Sequence, residues 1–408
     1  MPQPPLSLAL AQQALDAYAA ANGNKVEAST ALGLTRSTFL SRLAAAKRYE
    51  LTASRGLGNP DDPATLKARI RELEQAVVNA EKAMLTDVAV KTQIVQLARN
   101  MAEIAPPAWT LRASRDDESP GVPTLFLSDL HWGEVVEPSQ INGVNRYTLS
   151  IAQRRLEYTA EKAIRLLRIL SPKMDYPGIV VALGGDMISG NIHEELAVTN
   201  EIDTMPTVLD LYGRLSSMID LLAKTFGRVF LPCVTGNHGR NTHKIWAKRR
   251  NHTSFDWLLY QFLAKRFEGD KRVTFLIPDG SDAYYRVFNH RYLLTHGDQF
   301  RGGDGMIGAL GPIVRGDHKK RSRNAQIAQD YDTMILGHWH QYIHLSRLIV
   351  NGSLKGYDEY ANQGNFPFEQ PQQALWLTHP RHGMTFRAPV FADAKKSVAR
   401  TDWVAVAA

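Results

Sequence analysis

The chain is poor in cysteine and has no long apolar run. Its 408 residues include one cysteine, Cys233, which excludes an intrachain disulfide. Because Cys233 lies within an apolar segment, we expect a buried small side chain in a reducing compartment. We find no apolar stretch of about 18 residues and no charged-then-apolar leader, so the sequence predicts neither a membrane span nor a signal peptide. The expected location is the cytoplasm.

Acidic residues are outnumbered by basic ones, with 41 Asp and Glu against 48 Lys and Arg and a formal net charge of +7. This balance permits a polyanionic partner without identifying one. Two basic runs are more informative because each lies close to a motif described below. We predict that they contact a phosphodiester backbone through Lys248, Arg249, Arg250, Lys319, Lys320 and Arg321. The alternative for either run is a solvated helical face.

Five short polar motifs occur in order along the chain, and each follows an apolar run that indicates a buried strand. They are Asp129-Leu130-His131, Gly185-Asp186, Gly236-Asn237-His238, His296-Gly297-Asp298 and Gly337-His338-Trp339-His340. One such motif alone is more often a loop end than a ligand pair. Together they provide carboxylate, amide and imidazole ligands, which can hold two divalent cations about 3.5–4 Å apart on one phosphate.

The ordered set resembles the motif pattern of calcineurin-like metallophosphoesterases, over roughly residues 120 to 390. The resemblance implies an α/β fold, specifically a four-layer α/β/β/α sandwich. It implies that one metal is held by Asp129, His131 and His340 and the other by Asn237, His296 and His338. Asp186 would bridge the two metals, and the nucleophile would be a hydroxide that they share. Mn is the favoured metal, with Fe, Zn and Ni as alternatives.

The catalytic histidine implied by this resemblance is His238. It would protonate the leaving alkoxide or stabilise charge on the phosphoryl oxygens. Many members of the family follow this histidine with an acidic residue that orients it, whereas this chain has Gly239. The orienting partner of His238 is therefore open. His193 and Glu194 either line the site or occupy a solvated turn, and we favour the turn.

The N-terminal segment predicts three helices, at residues 8–21, 25–32 and 36–49. The stretch from Ala28 to Leu40 resembles the helix-turn-helix of factor-for-inversion-type and resolvase-type DNA-binding domains. Gly33 suits the turn and Thr35 can cap the third helix. DNA would then be contacted by Arg36, Ser37, Thr38 and Ser41. A helical bundle that serves assembly is the alternative.

The chain is expected to comprise a small all-α helix-turn-helix domain at 1–60, a helical connector and linker at 61–119, a catalytic domain at 120–395 and a tail at 396–408. Residues 62–104 predict one amphipathic helix whose apolar positions alternate in steps of four and three. That helix either forms a homo-oligomer through a short coiled coil or packs on the catalytic domain. Further helices are predicted at 148–170, 207–226 and 253–267, and closing strands at 375–377 and 384–387.

These features lead to one main hypothesis, a metal-dependent phosphodiesterase that hydrolyses DNA as a nuclease or nickase. One alternative is a phosphatase or phosphodiesterase of small phosphoesters that uses its N-terminal helices for assembly. A second alternative is a DNA-binding regulator with an inactive phosphoesterase domain. The complete set of predicted ligands argues against that regulator.

Overall fold

The computed structural model of the chain describes residues 8–48, 106–111, 121–301 and 310–393. The chain divides into two compact units, Met1–Val90 and Lys91–Ala408. The predicted helix at 62–104 and the tail at 396–408 lie outside the described residues. The coiled coil and the homo-oligomer therefore stay predictions.

The first unit contains helices α1 (Leu8–Ala20), α2 (Lys25–Ala31) and α3 (Arg36–Arg48). Its core is built mainly from small side chains, which allow the helices to approach closely. Ala14 and Ala28 pack with Phe39, and Ala11 packs with Ala45 and Ala46. Among the residues of this unit that the structure describes, Phe39 is the one large side chain that is fully buried. The three predicted helices are confirmed, each to within one residue at its ends.

The turn between α2 and α3 has the predicted backbone. Gly33 has a φ of +61°, in the left-handed region that favours glycine. The Thr35 hydroxyl accepts a hydrogen bond from the Thr38 amide at 3.3 Å, as expected for a helix cap. The side chains of Arg36, Ser37, Thr38 and Ser41 are exposed. They are therefore available to a ligand, and their contact with DNA stays a prediction.

The second unit is built on two mixed sheets. The six-stranded sheet has the order β11-β10-β1-β2-β3-β4. Strands β1 to β4 run parallel, whereas β10 and β11 are antiparallel additions at one side. Its strands are β1 (Val122–Leu127), β2 (Ile179–Leu183), β3 (Val229–Pro232), β4 (Val273–Leu276), β10 (Gln372–His379) and β11 (Gly383–Phe391). The two predicted closing strands are β10 and β11.

The five-stranded sheet has the order β5-β6-β7-β9-β8. Its centre, β6, β7 and β9, is parallel, and both edges are antiparallel. Its strands are β5 (Asp282–Val287), β6 (His290–Thr295), β7 (Thr333–Leu336), β8 (Ile343–Leu345) and β9 (Leu348–Val350). Sequence patterns had predicted β6 and β7 alone, because β5, β8 and β9 are short or carry mixed polar residues.

Helices pack on the outer faces of both sheets. The described helices of this unit are α4 (Ala108–Leu111), α5 (Leu149–Leu170), α6 (Glu194–Thr199), α7 (Thr204–Phe226), α8 (Phe255–Arg266), α9 (Leu310–Gln326) and α10 (Glu359–Gln363). The predicted helices at 148–170, 207–226 and 253–267 are confirmed as α5, α7 and α8. None of the described helices is both long enough and apolar enough to cross a bilayer.

Three apolar clusters define the layers. Residues of α5, α7 and α8 pack on one face of the six-stranded sheet. Aromatic side chains such as Phe126, Tyr292 and Trp376 fill the space between the two sheets. Ile313 of α9 packs against Leu293 and other residues on the outer face of the five-stranded sheet. The predicted four-layer α/β/β/α sandwich is therefore confirmed.

The five polar motifs directly follow β1, β2, β3, β6 and β7. All five strands are parallel members of their sheets, so their carboxyl ends point to one side of each sheet. The structure brings together strand ends of both sheets, because the two sheets pack face to face.

Candidate metal centre

Six of the seven predicted ligands, all but Asn237, fall into three overlapping groups together with His238. These are Asp129 with His131 and His340, His131 with Asp186 and His238, and Asp186 with His296 and His338. Within each group the ligand atoms all lie within 4.8 Å of one another. His131 and Asp186 each belong to two of these groups, and the bridging role of Asp186 stays a prediction. Side chains separated by up to 211 positions in sequence thus share one buried cluster, which extends from Asp129 to His340.

The first group is preorganised by its neighbours. The His131 and His340 Nε2 atoms lie 3.0 Å apart, and the Asp129 Oδ1 atom is 3.4 Å from His340 Nε2. Asp129 is held by the Ser128 hydroxyl, which donates to Oδ2 at 2.5 Å, and by the His338 amide, which donates to Oδ1 at 2.9 Å. Two facing imidazole nitrogens beside a fixed carboxylate are a donor set that suits a divalent cation.

The group of Asp186, His296 and His338 gathers acceptors around one imidazole. His296 donates from Nδ1 to the Gly184 carbonyl at 2.8 Å, which turns Nε2 toward the site. That Nε2 atom is 3.0 Å from Asp186 Oδ2 and 3.2 Å from Asn237 Oδ1. Burial acts to lower the pKa of His296, but the Asp186 carboxylate raises it to about 10. The cluster therefore favours a positive charge at this position, which a bound cation can supply.

The backbone at the site is strained. Asp129, His131, Asp186, His338 and His340 all have φ values between +46° and +71°. A left-handed conformation costs a residue other than glycine roughly 1–3 kcal/mol, and such residues concentrate at functional sites. Two flanking glycines leave the necessary space, because a Cβ atom on either would overlap a ligand carboxylate. Gly236 lies against Asp186, and Gly337 lies against Asp129.

His238 is oriented by a backbone carbonyl. Its amide donates to Asp186 Oδ1 at 2.7 Å, and its Nδ1 donates to the Ser189 carbonyl at 3.0 Å. Burial lowers the pKa of His238 to about 3, and the charge of Asp186 opposes this only in part. The orienting partner left open by Gly239 is thus Ser189, and no sequence pattern marks a main-chain acceptor.

A buried ion network supports His131. Its Nδ1 atom is 3.2 Å from Glu134 Oε2, and the other Glu134 oxygen is 2.7 Å from Lys355 Nζ. Lys355 also pairs with Asp358 at 2.5 Å. Burial acts to raise the pKa of Glu134, but the Lys355 charge and the contact with His131 hold it well below the usual range. A carboxylate behind a metal-binding imidazole fixes its orientation and raises its basicity.

Asp256 connects the loop that carries Asp186 to the loop that carries Gly236. It is fully buried near the start of α8 and accepts hydrogen bonds from the amides of Asp186 at 3.0 Å, Met187 at 3.2 Å and Gly236 at 2.9 Å. Burial and the nearby Asp186 charge raise the pKa of Asp256 to about 7. The sequence did carry a signal, because Asp256 shares the buried face of the helix with Leu259 and Leu263.

His193 and Glu194 are both exposed at the start of α6. The His193 ring centroid is nevertheless 6.2 Å from that of His238. His193 therefore lies at the margin of the site, whereas Glu194 occupies the first turn of the helix. Both side chains are solvent-exposed, as favoured, but His193 is also next to His238.

Half of the cations predicted to contact DNA near the site are engaged elsewhere in the chain. Lys320 is 7% exposed, and its Nζ lies 2.6 and 2.8 Å from the two Asp282 oxygens, which contradicts its predicted DNA contact. Arg250 pairs with both oxygens of Asp298 at 2.8 and 2.9 Å. Arg321 pairs with Asp317 at 2.8 Å. The exposed members of the predicted set are Lys248, Arg249 and Lys319.

No family profile matches the sequence, and no curated protein matches it. Among solved structures, a Vps29 single mutant from Entamoeba histolytica is similar with a TM-score of 0.26 and 12% identity, covering 66% of this chain and 99% of that one. A candidate 5'-nucleotidase from Staphylococcus aureus has a TM-score of 0.30 and 13% identity, covering 68% and 56%. A conserved Streptococcus pneumoniae TIGR4 protein, assigned as a phosphoesterase by prediction, has a TM-score of 0.23 and 10% identity, covering 62% and 82%. These values are too low to indicate a metal or a substrate.

Proposed function

We propose that the chain is a metal-dependent phosphodiesterase that hydrolyses DNA. The observation that carries the proposal is the convergence of three overlapping ligand groups on strained backbone at the ends of five parallel strands. Asp129, His131 and His340 would hold one divalent cation, and Asn237, His296 and His338 the other. Asp186 would serve both. Bound divalent cations neutralise phosphate charge and make water nucleophilic at neutral pH.

The chain's own residues position the substrate and the proton. His238 presents Nε2 while its Nδ1–H is held by the Ser189 carbonyl at 3.0 Å. An anionic phosphate beside Nε2 would favour the protonated imidazole, because opposite charges stabilise one another. His238 would then donate a proton to the leaving oxygen or stabilise charge on the phosphoryl group. Asp256 keeps the loops of Asp186 and Gly236 at a fixed separation.

DNA as the substrate rests on charge and on the N-terminal helices. Lys248 and Arg249 are exposed on the segment that follows Asn237 and His238, and Lys319 is exposed on α9. The exposed Arg36, Ser37 and Ser41 on α3 would add contacts with a duplex. The second candidate substrate class is the small phosphoesters. Arg250, Lys320 and Arg321 form intrachain ion pairs, so fewer cations are available to contact a DNA backbone. This observation favours the small phosphoesters.

The decisive experiment measures hydrolysis of plasmid, linear duplex, single-stranded DNA and a chromogenic aryl diester under Mn, Fe, Zn and Ni. We expect cleavage of DNA and of the diester. Activity on the diester alone would favour the second candidate. Failure to hydrolyse any of these substrates under every metal would overturn the enzymatic proposal.

Asp186→Ala is the matching variant, because Asp186 is the carboxylate shared by two ligand groups. We expect loss of at least one metal per chain and of essentially all hydrolysis, with the fold retained. Metal content is measured by mass spectrometry beside activity and circular dichroism. A variant with full metal occupancy and normal turnover would contradict the two-metal assignment.

A further inference from the structure

The segment that follows the Gly236-Asn237-His238 motif forms a loop with joined ends, which we call the 240–254 loop. A β-bridge pairs Arg240 with Ser254, and the Asn241 amide donates to the Thr253 carbonyl at 2.8 Å. Compact loops whose ends meet in this way are frequently functional. Helix α8 begins directly after this loop, at Phe255.

Two arginines fix the base of the 240–254 loop to the candidate metal centre. The Arg240 guanidinium donates to the Asn237 carbonyl at 2.7 Å. The Arg250 guanidinium donates to the Gly236 carbonyl at 3.3 Å while it pairs with Asp298. Both arginines thus hold the backbone that carries the predicted ligand Asn237. The position of the loop is therefore coupled to the position of the site.

The outer part of the loop is exposed and has an unusual composition. Every residue from 243 to 249 is exposed, including Ile245 at 42% and Trp246 at 54%. Three cations accompany them, Lys244, Lys248 and Arg249. The sequence has no Asp or Glu from Gly239 to Phe255. An exposed indole among cations suits a polyanion with flat aromatic groups, because the cations attract the phosphates and the indole can stack on a base.

Trp246 lies beside the site. Together with Ile245, it lines a cleft whose other walls include Gly236 and Asn237. Because Asn237 is a predicted metal ligand, this shared cleft is the basis for placing the nucleoside beside the cleaved phosphate near the indole. A base can stack on an aromatic ring only when its face is exposed, as in single strands or frayed ends, and such stacking tolerates any base.

We propose that Trp246 is a stacking platform for an unpaired base next to the phosphate to be cleaved, and that the preferred substrate is single-stranded or frayed DNA. This inference rests on the proposed phosphodiesterase function. Lys244, Lys248 and Arg249 would follow the adjoining phosphates. The positive charge of the loop attracts a DNA strand more strongly than it attracts a protein surface with few acidic residues.

The test compares the full-length protein with full-length Trp246→Ala and Trp246→Phe. Binding is measured for a thymidine oligomer, an abasic oligomer of equal length and a blunt duplex, with Ca²⁺ as the added cation and intact oligomers verified on gels. Because the N-terminal helices are present in every sample, their contribution is constant. We expect Trp246→Ala to raise the Kd of the thymidine oligomer about 5- to 150-fold. Trp246→Phe should retain most of the affinity.

The abasic oligomer isolates stacking from charge, since it keeps the phosphates and lacks the bases. Its Kd should be the same for wild type and Trp246→Ala. Phe262→Ala is the matched control, because Phe262 is 40% exposed on α8 and lies outside the 240–254 loop. It should bind all three ligands as the wild type does.

Several results would overturn the proposal. These are equal binding of the thymidine oligomer by wild type and Trp246→Ala, an equal loss for the abasic oligomer or the duplex, and no oligomer binding by the wild type. In the last case Trp246 would serve another partner, such as a protein. Hydrolysis of the aryl diester, measured on the same preparations, reports on the proposed function separately, because it does not depend on base stacking.

Discussion

At the scale of single residues, His238 can be distinguished from the metal ligands by experiment. Its Nδ1 atom is held by the Ser189 carbonyl, so its function depends on the remaining nitrogen. We expect His238→Ala to keep both metals and to lower turnover roughly 10²–10⁴-fold, the usual contribution of a positioned acid. Steady-state kinetics and metal analysis of the same preparation measure both effects.

The leaving group decides between the two roles of His238. On an aryl diester whose leaving group needs no proton, the loss in His238→Ala should be much smaller than on DNA. An equal loss on both substrates would favour charge stabilisation over proton donation. Loss of a metal ion would instead make His238 a ligand, which its place beside His131 and Asp186 would allow.

Glu134 acts through His131. Glu134→Gln removes the charge behind the His131 imidazole and leaves Lys355 with Asp358 as its remaining carboxylate partner. We expect metal affinity to fall about 10–100-fold, the usual effect of losing the partner of a metal-binding histidine. Titration calorimetry measures it, and circular dichroism confirms that the variant is folded. Glu137→Gln is the control, since Glu137 is exposed nearby. Unchanged affinity in Glu134→Gln would show that Glu134 does not support the metal site.

At the scale of elements, the contact between α8 and the loops of the candidate metal centre explains why position 239 is a glycine. A Cβ atom on Gly239 would lie 2.8 Å from Asp256 Oδ1 and 3.1 Å from the Asp256 amide nitrogen. We expect Gly239→Ala to displace Asp256, to destabilise the protein by roughly 1–3 kcal/mol, as overpacking does, and to lower turnover. Thermal unfolding and kinetics measure these changes.

Gly213 is the matched control for that substitution. It lies within α7, and a Cβ atom there would have no neighbour within 4 Å. Gly213→Ala should stabilise the protein by about 0.4–1 kcal/mol, because alanine restricts the unfolded chain. If Gly239→Ala were as well tolerated as Gly213→Ala, the contact with Asp256 would not constrain the site.

At the scale of the whole molecule, the two units are expected to divide binding and catalysis. Every predicted metal ligand lies within the unit Lys91–Ala408. Deletion of residues 1–60 should therefore leave hydrolysis of a small aryl diester nearly unchanged. It should weaken duplex binding and reduce its salt dependence, because each lost phosphate contact is a counterion no longer released. Binding titrations over a range of salt concentrations provide the measurement.

The same truncation tests the alternative use of the N-terminal helices. An unaltered affinity and salt slope would show that α1 to α3 do not bind DNA. Comparing the solution mass of the full-length and truncated proteins would then report on assembly. The short coiled coil predicted within residues 62–104 is retained in the truncated chain, so a dimer formed through that coiled coil alone would persist.

The sequence by itself determined the main layout of the chain. Apolar runs predicted the strands β1, β2, β3, β6 and β7, and amphipathic segments predicted the helices α5, α7 and α8, because a buried strand is apolar on both faces and a half-buried helix imposes a local period. The motifs at the strand ends contain all the clustered His and Asp side chains that could hold a metal among the described residues. Gly33 and Thr35 marked the N-terminal turn and cap, since both act through local backbone geometry.

The tertiary structure alone decided what depends on packing between distant segments. Face-to-face packing of two sheets placed the site across both of them, and it joined Glu134 to Lys355, which lie 221 positions apart. Pairing with Asp282 buried Lys320, which a linear charge pattern cannot foresee. The Ser189 carbonyl orients His238 although its side chain gives no hint of this role. Local sequence fixes period and residue chemistry, whereas burial and long-range hydrogen bonds depend on which surfaces meet.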